Sequence, residues 1–219
     1  IAQRQGRAKN SNDLTQPAIL KMMVMGGEGS IIDRLKQLHI VPLSISYEYD
    51  PCDYLKAREY QLRRDIPYWK KTAEDDLESM LIGIKGFKGH IFYHCAPCID
   101  DWLDTLDTDL PKNKLFDAIA SHIDHEIHSS YKLYPINYVA LDMIQDTKVY
   151  EEYYTQDDYE KFDSYLAGQI EKIDIENRDE QFLRTCLLTQ YAYPAKNYID
   201  ASSESERLKS LLNRLTFKK

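Results

Sequence analysis

The sequence contains no apolar run approaching the roughly 18 residues that a helix needs to cross a bilayer, and no charged-then-apolar leader opens it. The expectation is a soluble or peripheral chain. An excess of positive charge is missing as well: 28 Lys and Arg face 36 Asp and Glu, a formal net charge of -8, which argues against general binding to nucleic acid or to anionic lipid, since either needs clustered cations. Any basic site must be local. Cysteine is scarce, and the four residues at 52, 95, 98 and 186 form no regular framework, so free thiols in a reducing cytoplasm are expected. No repeat or low-complexity tract is visible. An initiator methionine is missing too, and Ile1-Ala2 before polar Gln3-Arg4 reads as the end of a strand cut partway, as in a piece of a longer chain.

What is present suits a globule. At 219 residues the chain can bury about two thirds of its unfolded surface, and 43% hydrophobic with 29% charged residues is ordinary for a soluble protein. Its 17 tyrosines read as half-buried rings with wet hydroxyls.

Turn-favouring residues Asn10, Ser11, Asn12 and Asp13 predict a loop, after which Thr15 can cap a helix running from about Gln16 to Met25 with Pro17 in its first turn. Ser30 can cap a second short helix. Ile40 to Tyr47 reads as a buried strand near a sheet edge because of Pro42. Helices follow from Asp50 to about Arg64 and from about Thr72 to Ile84, and His90 to Cys95 reads as a second strand. From about Lys112 the pattern is helical, with breaks at Pro135, near Thr155, near Asn177 and at Pro194; Ser202 to Glu206 reads as a cap or surface turn. The predicted fold class is therefore α/β: a partial mixed sheet with flanking helices over 1–110, carrying a helical insertion at about 51–85, then a helical C-terminal region over 111–219.

Three segments carry a resemblance. Arg4-Gln5-Gly6-Arg7-Ala8-Lys9 looks like a Glu-Gly-x-Arg block at a strand end, Ile40-Val41-Pro42-Leu43 like a Val-Pro strand, and Lys88 to Ile99 like a strand ending in Gly-x-Pro-Ile. In this order and spacing they resemble the bacterial glycerol-3-phosphate and 1-acylglycerol-3-phosphate acyltransferase family, with Leu115 to Ile144 similar to its C-terminal part. The resemblance implies transfer of a fatty acyl group from acyl carrier protein or coenzyme A to a glycerol-phosphate acceptor in phospholipid synthesis, without a metal or cofactor. It implies a cytoplasmic protein with peripheral contact at the inner face of the cell membrane. It also implies substrate-binding roles for Arg4, Gln5, Gly6, Arg7, Lys9 and Pro42, with Arg7 and Lys9 as the basic pair on the acceptor's phosphate.

Two departures qualify it. If Gly6 is the motif glycine, Gln5 stands where the family has Glu and Arg7 comes one place early; in the other register Arg4 holds the acidic position. The family's His-x4-Asp pair, in which histidine takes the acceptor's hydroxyl proton and aspartate orients the ring, is absent, since none of the six histidines has Asp five residues on. That pair is expected upstream of Ile1, and no residue of this chain is assigned as catalytic.

Other constellations read more plainly. Cys95-Ala96-Pro97-Cys98 has dithiol spacing, but Asp100-Asp101 would raise a thiolate's pKa, and His94 and Cys95 point to opposite faces of a strand, so both thiols are expected reduced and metal-free. His122, His125 and His128 read as a polar helix face, and Tyr150, Tyr153, Tyr154 and Tyr159 as a packing or partner surface. Two further functions stay open: a non-catalytic lipid- or partner-binding module, and a dithiol redox protein using Cys95 and Cys98.

Overall fold

The computed structural model describes residues 1–5 and 8–216, with side chains through 203. Gly6 and Arg7 lie outside the described residues. The elements run α1 Pro17–Met23, α2 Ile31–Lys36, β1 Leu43–Tyr47, α3 Asp53–Asp65, α4 Ala73–Lys85, β2 Ile91–Cys95, α5 Asp100–Leu103, α6 Lys112–Ser129, α7 Pro135–Gln145, α8 Gln156–Glu171 and α9 Glu180–Thr216.

Local chemistry accounts for most of these ends. Ser30, Thr72 and Thr155 each accept from the backbone N–H three residues on, and Asp33, Asp75 and Asp158 return the bond to the cap, so α2, α4 and α8 begin with reciprocal boxes. Those bonds hold the Asp158 carboxyl below the usual carboxylate range. Thr155→Ala should cost about 1 kcal/mol of stability in urea unfolding; an unchanged midpoint would mean that α8 is set by packing alone. Thr15 does not cap α1. Its hydroxyl and N–H both donate to Asp124 on α6, at 2.6 and 2.8 Å, and the cap position falls to Gln16 without a side-chain bond.

The sheet is small, and α6 packs against β1. Among the described residues the sheet has two strands, β1 antiparallel to β2, with Leu43 opposite Cys95, Ile45 opposite Tyr93 and Tyr47 opposite Ile91. The sequence leads one to expect a mixed sheet, and residues 1–5 to end a strand; here those residues are irregular, with only Gln3 accepting a backbone bond, from Gln16. The strand carries its polarity the unusual way round. Ser44 and Ser46 are buried, bonded to the 130–132 turn, while Leu43, Ile45 and Tyr47 face outward beside Ile91 and Tyr93. The apolar face of this strand is thus open to solvent rather than packed as a core face.

The core is divided into two apolar clusters that cross the boundary drawn near residue 110. Leu20, Leu35, Ile99 and Leu103 join Ile119 and Phe116 of α6 in one; Ala57 of α3 joins Val139, Phe162, Leu183 and Leu187 in the other. α9 lies along α7 and also meets α3, α6 and α8. That packing carries the helix straight through Pro194, where a break is expected, and through 202–206, where a turn is. Burial of Leu187, Tyr191, Ala192 and Ala195 on both sides of the ring outweighs the roughly 3 kcal/mol a mid-helix proline costs. Among the described residues no helix is long and apolar enough to cross a membrane. α4 nevertheless leaves Leu77, Met80, Leu81 and Ile84 exposed along one stripe.

Candidate functional site

The opening segment is tied down at three points: Gln16 N–H donates to the Gln3 carbonyl, the Gln5 N–H to the Gln16 side chain, and Thr15 to Asp124. This clamp lays the segment across α1, α6 and the lead-in to β1. Between them opens a groove of about 770 Å³. Its walls are Ile19, Leu20 and Met23 of α1, Val41, Pro42, Leu43 and Ile45 of the strand, and Ile123 and Ile127 of α6, while Arg4, His39 and Lys56 contribute cationic or basic groups. Arg4 Nε is buried and has no hydrogen-bond partner. A buried donor left unpaired costs about 1–3 kcal/mol, so an anion reaching Arg4 gains a charge-assisted bond at a position already stripped of water.

The site residues expected from the sequence divide. Arg4 and Pro42 come together in the groove. Gln5 is exposed and does not line it, its backbone being taken up by Gln16. Gly6 and Arg7 lie outside the described residues. Lys9 turns away. Its ammonium makes an ion pair with Glu59 of α3, a carboxylate only 6% exposed that also meets Arg63 at 2.7 Å. Burial first, then Arg63 and Lys71, press the Lys9 pKa down, but the Glu59 carboxylate in contact holds the ammonium charged, and at contact distance the pair decides. Lys9 is therefore claimed by a buried acid on α3, while its expected partner Arg7 lies outside the described residues.

Sequence reasoning missed a second set of groups. His39 ends the turn after α2 with φ 46°, a left-handed conformation that turns its ring toward the start of α5, where Nδ1 lies 2.6 Å from Asp100 Oδ2. Asp100 is held below the usual carboxylate range by His39 first, and a hydrogen bond from Cys98 acts the same way. The backbone explains the meeting: beyond the β1–β2 ladder, Ala96 N–H donates to Pro42 O at 2.9 Å and Ile99 N–H to Ile40 O at 3.0 Å, which sets residues 39–42 beside 96–100. Only the unusual residue His39 between a helix end and a strand could have signalled it.

Three other histidines are engaged by neighbours in the fold. His122 stacks on Trp102 at 3.8 Å, half-buried, and burial lowers its pKa; His128 is buried with Nε2 3.1 Å from Asp13 O, so the α6 histidines are not simply a polar face. His90 pairs with Glu48 at 2.7 Å. Gly89 beside it, at φ 61°, has no room for a Cβ, which would fall 2.3 Å from Glu48 Oε2. Tyr138 stacks on Tyr153 at 4.5 Å, although Tyr153 and Tyr159 stay exposed. Cys95 and Cys98 are exposed free thiols.

No protein-family model, curated protein or solved structure matches this chain. What the groove can bind follows from its own residues: an elongated apolar wall with a buried, unpaired guanidinium donor suits an amphipathic anion.

Proposed function

We propose that the chain is the acceptor-binding part of an acyltransferase that moves a fatty acyl group from acyl carrier protein or coenzyme A onto a glycerol-phosphate acceptor in bacterial phospholipid synthesis. The observation that supports it is the meeting of Arg4 and Pro42, from two separate family-like segments, in one groove whose walls are apolar. In the reaction the acceptor hydroxyl oxygen bonds to the thioester carbonyl carbon, the carbon–sulfur bond breaks, and the hydroxyl proton passes through a histidine base to the departing thiolate. The groove holds the acceptor's phosphate on Arg4 and its acyl chain along Val41, Leu43 and Ile45. The exposed stripe of α4 supports peripheral contact with the inner face of the cell membrane, in a protein of the cytoplasm.

A second reading, a lipid- or partner-binding module without catalysis, draws on the outward apolar face of β1 and β2. The two differ in the reaction, not in the ligand.

The experiment is to titrate the chain with lysophosphatidate below its micelle concentration, and to assay acyl transfer with an acyl thioester in parallel. The chain should bind without turnover, since it carries no His-x4-Asp pair. Arg4→Ala should weaken binding about ten- to a hundredfold, the scale of one charge-assisted bond to a phosphate. Lys9→Ala should change it little, since Glu59 holds that ammonium. Unchanged binding in Arg4→Ala, or none in the parent, would remove the groove as the acceptor site. In a longer gene product carrying the upstream histidine, Arg7→Ala should raise the acceptor KM by a similar factor and leave the donor KM alone.

A further inference from the structure

The geometry points to a zinc site formed by His39, Cys98 and Asp100 at the rim of the groove. One ligand atom from each of these residues lies within 4.8 Å of the other two. Around a tetrahedral zinc ion, ligand atoms stand about 3.5 Å apart, so the three are already within about 1.3 Å of the separation that the ion needs.

Several observations carry the assignment beyond proximity. The donors are an imidazole nitrogen, a thiol sulfur and a carboxylate oxygen, a set that suits a borderline-soft divalent ion and excludes magnesium and calcium, which take oxygen. Asp100 Oδ1 is buried without a hydrogen-bond partner, so the carboxylate has an unused acceptor at the site in addition to the oxygen that meets His39. The backbone bonds from Ile99 to Ile40 and from Ala96 to Pro42 hold the two ligand-bearing segments together before any ion arrives. Charge agrees: Cys98 as thiolate and Asp100 neutralise a divalent ion, Asp101 lies on the same short helix and Asp104 caps its end. Lys36, whose charge reaches Asp100, is engaged by both oxygens of Asp104 at 2.6 and 2.7 Å.

On binding, the Cys98 thiol proton leaves to solvent and neutral His39 coordinates through Nδ1 with its one proton on Nε2, so that three protein ligands keep a fourth position open for water. Cys95 takes no part. It sits at the end of β2 opposite Leu43, on the outward sheet face. The site thus uses only one thiol of the Cys-x-x-Cys spacing and draws its histidine from the segment that leads into β1, which is bonded alongside residues 96–99. The assignment does not depend on the acyl-transfer reading.

The test uses the 219-residue chain, stripped with a chelator, kept under a non-thiol reductant and titrated with zinc chloride against a chromophoric competitor. One equivalent should bind. Cobalt chloride in place of zinc should give a thiolate-to-cobalt absorption band that disappears in Cys98→Ser and persists in Cys95→Ser. His39→Ala and Cys98→Ser should each weaken zinc at least about tenfold, and Cys95→Ser less than about twofold. Because the His39 side chain is 76% exposed, its truncation leaves the core intact, and unchanged circular dichroism checks this. Less than half an equivalent of zinc bound, or binding in His39→Ala equal to the parent, overturns the site; so does a cobalt band that follows Cys95 rather than Cys98.

Discussion

Asp142→Ala should lower the unfolding free energy by about 3–5 kcal/mol, roughly 10 °C in Tm for a chain of this size. Asp142 ends the buried face of α7 and is 1% exposed. One of its oxygens accepts from the Thr147 hydroxyl at 2.8 Å and the Val149 N–H at 3.0 Å; the other accepts from the Tyr150 N–H and the Tyr154 hydroxyl, both at 3.0 Å. A single carboxylate therefore organises the whole connection between α7 and α8, including the left-handed Asp146 at its start. Removing it leaves four donors without an acceptor, each costing about 1–3 kcal/mol where water cannot reach, and partial solvation keeps the total near the lower sum. Asp142→Asn keeps the size but turns an amide N–H₂ toward two donors, so most of the loss should remain. Chemical unfolding of both variants measures it. A loss below about 1 kcal/mol in Asp142→Ala would show that the connection is held by the stack of Tyr138 on Tyr153 instead.

The wild-type protein should lose stability relative to Asp53→Asn as pH rises from about 4 to 6. Asp53 opens α3 in full burial; its carboxylate accepts from the Tyr165 and Tyr191 hydroxyls, both at 2.7 Å, and from the Tyr54 N–H at 2.6 Å. Burial pushes its pKa up to about 6, against the pull of the two tyrosine bonds. Since the folded value lies above the unfolded one, near 3.8, the folded state holds its proton more tightly, and folding is favoured most below the unfolded pKa. Above pH 6 the charged carboxylate carries the full penalty of about 3 kcal/mol, of which about 2 kcal/mol develops between about pH 4.5 and 7.5. Asparagine never ionises, so the gap between variant and parent should close by that amount over this interval. Asp33, Asp65, Asp75 and Asp179 have depressed values and act in the opposite sense, losing their contribution as pH falls; they are common to both proteins and cancel. Parallel stability curves for the two proteins would mean that the tyrosine hydroxyls compensate burial fully.

Both predictions concern carboxylates whose partners could not be read from the chain. Asp53 and Tyr191 are 138 residues apart, and nothing in the pattern around either marks the other. His39 and Asp100 are 61 apart, and Cys98 reads from the sequence as half of a dithiol because its neighbour in the chain is Cys95.

What the sequence determined by itself is the set of elements and most of their ends. Apolar spacing placed the helices from α1 to α8 except the short α5, and both strands, and Ser30, Thr72 and Thr155 set starts that depend on bonds only three residues long. Such rules act within one turn of chain, where the order of residues decides the geometry. Tertiary structure alone decided that Pro194 stays within α9, that Lys9 turns to Glu59, that Thr15 bonds Asp124, that Arg4 and Pro42 line one groove, and that His39 comes within 4.8 Å of Cys98. Those outcomes depend on which buried surfaces meet and which charges lose water together, and the energy of each is settled by partners dozens of residues away.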